Sequence, residues 1–135
     1  MPVLFLNADL DILSHQNLQP LIDEIGNRAC LLASGPGHDD TTSFARYELI
    51  HEPHPRSPES VLLAFTHLID SLSPESLSLW HAARERVIDI GYQCIHSNDR
   101  YSDRISSSTL ARLASLHIDL AWSFYPPDED PLHAP

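Results

Sequence analysis

Hydrophobic and polar residues alternate along Arg86-Val-Ile-Asp-Ile-Gly-Tyr-Gln-Cys-Ile95. Successive strand side chains point to opposite faces. Ile88, Ile90, Tyr92 and Cys94 therefore share one face, while Val87, Asp89, Gly91 and Gln93 share the other. β-Branched and aromatic residues dominate, which suits a strand. Its two-faced character is repeated elsewhere, and the chain is expected to be organised around it. From Val3 to Leu13, the residues Leu4, Leu6, Ala8, Leu10 and Ile12 form an apolar row. Asn7, Asp9 and Asp11 lie opposite, with Val3 and Phe5. Ser43 to Ile50 sets Ala45, Tyr47 and Leu49 against Phe44, Arg46 and Glu48. Ala29 to Ala33 is a short strand, and Asp119 to Tyr125 a last one with Leu120, Trp122 and Phe124 in register.

Helical spacing fills the intervals. Leu18, Leu21, Ile22 and Ile25 form the stripe of a helix over roughly Asn17 to Ile25, with Ser14 or Asn17 as cap and Gly26 as stop. Two further helices open on one tetrapeptide, Ser57-Pro-Glu-Ser60 and Ser73-Pro-Glu-Ser76. Ser supplies the N-cap, Pro suits the first helical position, and Glu complements the helix dipole. The first buries Val61 or Leu62, Phe65, Leu68, Ile69 and Leu72; the second buries Leu77, Trp80 and Ala83. Ser106 or Ser107 caps a last helix with Leu110, Leu113 and Leu116 inside, and His117 takes the left-handed position at its end.

The resulting order is βαββ, two helices, β, α, β. Packing these elements gives an α+β fold, a four- to five-stranded mostly antiparallel sheet with helices on one face. A ferredoxin-like βαββαβ core with an added αβ unit is one wiring that fits. Residues 1–125 are expected to form a single domain, and 126–135 a flexible, acidic, Pro-rich tail.

Composition narrows the partners. A formal net charge of −11 over 135 residues disfavours nucleic acid, which needs a basic surface, and favours a basic protein. No apolar run approaches the ~20 residues of a membrane span. The acidic start after Val3–Leu6 does not resemble a secretory signal. Cys30 and Cys94 fall in strands, too few for a disulfide framework. They read as reduced core thiols in a cytoplasmic protein.

No motif of defined chemistry is present. Gly35-Pro-Gly37 lacks the lysine of a phosphate loop. His51 and His54 flank Pro53, so they miss the helical spacing of a zinc motif; His38-Asp-Asp40 and His96-Ser-Asn-Asp99 are loop clusters. No catalytic residue, metal ligand or cofactor is assigned. The polar sheet face is the leading surface, with Asn7, Asp9, Asp11, Arg46, Glu48, Asp89, Gln93 and Ser123. Arg100 and Tyr101 in the loop after the Arg86–Ile95 strand are candidate anchors.

Arg86-Val-Ile-Asp-Ile-Gly91, the Leu-rich helix after it, the final strand ending at Tyr125 and the early Leu10–Leu21 segment resemble a loose group of small uncharacterised bacterial domains. In size, acidity and lack of motifs the chain also resembles bacterial immunity proteins. That resemblance implies a non-catalytic module that binds and neutralises a basic cognate toxin, possibly a nuclease. Its contacts would come from Asp9, Asp11, Arg46, Glu48, Asp89, Gln93, Arg100 and Tyr101. A homodimeric structural domain and a small metal-dependent hydrolase are the alternatives.

Overall fold

The computed structural model describes residues 3–51 and 53–127. Five strands and four α-helices alternate as β1 (Val3–Ser14), α1 (Gln19–Ile25), β2 (Cys30–Pro36), β3 (Ser43–Glu48), α2 (Pro58–Asp70), α3 (Pro74–Ala82), β4 (Glu85–Cys94), α4 (Ser107–Ser115) and β5 (Asp119–Tyr125). The sheet order is β2-β3-β1-β4-β5. β1 pairs antiparallel with β3 and β4, and β2 with β3. β5 runs parallel to β4, as a crossover through α4 requires. The first four strands, in the order 2-3-1-4, have the ferredoxin-like wiring, with α4 and β5 added beside β4. The fold is α+β. Its centre is β1, the middle of the five strands, rather than β4.

The helices and the inward strand rows form one hydrophobic core. Ala8, Leu10 and Ile12 of β1, Ala45 and Tyr47 of β3, and Ile88, Ile90 and Tyr92 of β4 meet Leu21, Ile25, Leu62, Phe65, Ile69 and Trp80 from the helices. The apolar row expected along β1 changes phase. A bulge between Phe5 and Asn7 turns Phe5 into the core and leaves Leu4 and Leu6 exposed. Arg56 holds the bulge. Its guanidinium stacks 4.4 Å over the Phe5 ring and donates to the carbonyls of Phe5 and Leu6.

The helix ends are satisfied as their residue types suggest. Ser57 and Ser60 form a reciprocal capping box on α2, and Ser73 caps α3. Two glutamates reinforce neighbouring caps from a distance. Glu24 accepts from the Ser73 backbone and the Ser76 hydroxyl, and Glu59 from the Ser106 backbone and the Thr109 hydroxyl. His117 has φ 56°, and the Ile118 and His117 amides donate to Leu113 and Ala114, closing a Schellman motif. Arg86 then ties the helix ends to β4 by donating to the carbonyls of Trp80, Ala83 and His117. Leu110, expected on the inner face of its helix, is also exposed, as are Trp122 and Phe124 of the aligned β5 row. All three lie on elements flanking the sheet edge, beyond the cover of the helical layer.

Candidate functional site

The polar rows of β1, β3, β4 and β5 share the sheet face that the helices leave open. Register decides which of them meet. Asp9 of β1 stands directly opposite Asp89 of β4, and Asp11 opposite Arg46 of β3. Glu48, the last residue of β3, follows Tyr47, which pairs with Leu10. Glu48, Asp9 and Asp89 therefore run across neighbouring strands as a carboxylate stripe. The Arg46 Nε donates to Asp11 Oδ1 at 2.5 Å, so the cation nearest the stripe is already paired.

The stripe is electrostatically unfavourable in the isolated chain. Asp89 Oδ2 accepts from the Ser123 hydroxyl at 2.8 Å. Its Oδ1 and the Oδ1 of Asp9 are buried and accept no hydrogen bond. The Asp9 carboxyl is held above the usual carboxylate range. Burial is the main cause, and the charges of Glu48, Asp11 and Asp89 add to it against the opposing pull of Arg46. Like charges directly opposite in a sheet destabilise it, and a buried acceptor without a partner costs about 1–3 kcal/mol.

The rest of the face is shaped by small and aromatic residues. Gly91 sits between Asn7 and Ser123 in register. A Cβ there would lie 2.9 Å from Asn7 Oδ1 and 3.5 Å from the Tyr125 ring, so both side chains close over the glycine. Gln93 donates to the carbonyls of Cys94 and Pro126 and fastens the exit of β5. The remainder of the expected tail, 128–135, lies outside the described residues. At the far end of the face a groove of about 630 Å³ is lined by Leu13, Phe44, Val87, Asp39, Arg84 and Glu85, among others.

Asp9, Asp11, Arg46, Glu48, Asp89 and Gln93 are thus brought together on one face. Arg100 and Tyr101 do not join them. The Tyr101 ring packs edge-on at 5.6 Å against Tyr92, which belongs to the helix-side row, and is half-buried there. The Tyr92 hydroxyl donates to Asp103 at 2.7 Å, which secures the same loop. Arg100 is exposed beside it. Two aromatics do lie on the acidic face, Phe44 in the groove and Tyr125, which is in register with Gln93. The alternation of Tyr125 with Trp122 and Phe124 was the available signal. Cys30, expected in the core, is exposed, because its row on edge strand β2 points to the open face.

Among the described residues no three His, Cys, Asp or Glu side chains converge in a way that could hold a metal ion. None of the described helices is long and apolar enough to cross a membrane. No family model, curated protein or solved structure matches the chain.

Proposed function

We propose that the chain is a non-catalytic binding module whose open sheet face receives the cationic surface of a basic protein. The observation that carries this reading is the Glu48–Asp9–Asp89 stripe, where two buried carboxylate oxygens lack donors. Folding alone does not reward such an arrangement. A partner's arginine or lysine, set against the open side of the stripe, would supply the opposite charge that the chain itself does not, as paired charges do at tight interfaces. Tyr125, exposed on the same face in register with Gln93, is an aromatic contact there, and the groove at Leu13, Phe44 and Val87 accepts a protruding side chain.

The net charge of −11 steers such a partner over long distances. The immunity-protein reading is the specific form of this proposal: the partner is a basic bacterial toxin, encoded beside this chain and silenced by occlusion. Co-expression with the adjacent gene product tests it. The expected result is a one-to-one complex and restored growth, with both lost in the Asp9→Lys/Asp11→Lys/Asp89→Lys variant. A neighbour that is harmless alone, or rescue unaffected by that variant, contradicts the reading.

A further inference from the structure

The two edges of the sheet are built differently. β2 is blunted: its register slips between Leu31 and Ala33, and it ends in Gly35-Pro36. Bulges and prolines of this kind discourage further strand pairing. β5 has no bulge and no proline between Asp119 and Tyr125, and Pro126-Pro127 follow only after the paired span. It pairs with β4 without interruption from Asp119 to Tyr125, carries one charge in that span, and has no strand on its outer side among the described residues. Its side chains Trp122, Phe124 and Tyr125 are 53%, 60% and 50% exposed.

We infer that β5 is a self-association edge, on which a second copy of this chain adds its own β5 antiparallel about a two-fold axis at Trp122. The sequence of the strand is self-complementary in that register. Trp122 meets its counterpart, Leu120 meets Phe124, and Ala121 meets Ser123, each pair on one face because directly opposite residues share a face. Asp119 falls opposite Tyr125, so no carboxylate of the strand faces another. That matters in a chain of net charge −11, where most other surfaces would repel a copy. The near-neutral composition of this one strand, against the acidic stripe of the open face, selects a second copy over a basic partner as its occupant. An overlap of one short strand is a small interface, so the association is weak and concentration-dependent.

Sedimentation of the full chain over a wide concentration range tests this. The weight-average mass is expected to rise from 15.1 kDa towards twice that value. Tryptophan emission should shift to the blue in parallel. Trp122 is the reporter, since Trp80 is already fully buried. The Trp122→Glu/Phe124→Lys variant should remain a monomer with an unchanged far-ultraviolet spectrum. As a second route, Trp122→Cys in a Cys30→Ser/Cys94→Ser background should give an oxidised dimer, whereas Asp119→Cys in that background should not. A monomer at every concentration overturns the inference, as does a dimer that persists in the double variant. A chain that is monomeric alone, with Trp122 emission shifting only on complex formation with another protein, also overturns it and assigns the edge to that partner's strand.

Discussion

Asp9 is the residue at which folding and the proposed binding conflict. Its carboxyl titrates above its ordinary value because burial, and then neighbouring acids, penalise the charged form. A raised folded pKa contributes stability below the unfolded value, and that contribution is lost as pH rises through the folded one. Asp9→Asn is therefore expected to stabilise the chain near neutral pH by about 0.2–1 kcal/mol, the scale of cross-strand charge pairs. The gain should vanish near pH 3, where both side chains are neutral. Thermal melts at the two pH values check this, and a destabilised variant at neutral pH would contradict it. The same substitution should weaken partner binding, the usual exchange between stability and function. Tyr47 offers a contrast. Its buried hydroxyl has no hydrogen-bond partner, and burial, with the charge of Asp23, pushes its pKa up to about 12. Tyr47→Phe removes an unsatisfied group, so it should be neutral or stabilising by up to about 1 kcal/mol. Denaturant melts showing a loss above that size would mean that the hydroxyl has a partner.

Among the elements, helices depend on acids supplied from elsewhere in the chain. Glu24 and Glu59 are held below their usual pKa chiefly by hydrogen bonds from Ser73 and Ser106, at the caps of α3 and α4. Here the sign is opposite to that of Asp9. The contribution is present above the unfolded pKa and is lost as pH falls through the lowered folded one. Glu24→Gln/Glu59→Gln should lower the melting temperature near pH 7, and the difference from wild type should shrink as both approach pH 3. A difference independent of pH would remove the charge from the explanation. The caps themselves were legible, because Ser-Pro-Glu-Ser and the position of His117 express local preferences. Strand existence was legible from alternation for the same reason. The bulge after Phe5 was not. It is held by Arg56, some fifty residues on, and local spacing carries no trace of that contact. The facing of Asp9 and Asp89 escaped for a related reason, since the register between β1 and β4 is a long-range property. Tyr101 read as an exposed anchor because loop composition does not reveal the Tyr92–Asp103 bond that folds the loop back.

At the scale of the molecule, one sheet face is core, the other carries a carboxylate stripe, and among the described residues no strand lies beyond the aromatic β5 edge. The exposed Trp122 and Phe124 follow an apolar period yet lie outside the core, because burial depends on how far the helical layer extends across the sheet. The Glu48–Asp9–Asp89 stripe lies on β3, β1 and β4, so a dimer through β5 leaves the stripe itself open to a basic partner, and Tyr125 is shared by the two surfaces. The central claim is that the Glu48–Asp9–Asp89 face receives cationic charge. Its most direct test is the association rate of the purified chain with the protein encoded beside it, measured by stopped flow across ionic strength. The Debye length shortens from about 30 Å at 0.01 M to about 3 Å at 1 M. The wild-type rate is expected to fall at least about tenfold over that range. Asp9→Asn/Asp89→Asn, checked for an intact fold by its melting curve, should associate more slowly at low salt and show a shallower dependence. A rate indifferent to salt, or a variant that binds as the wild type does, would contradict the account.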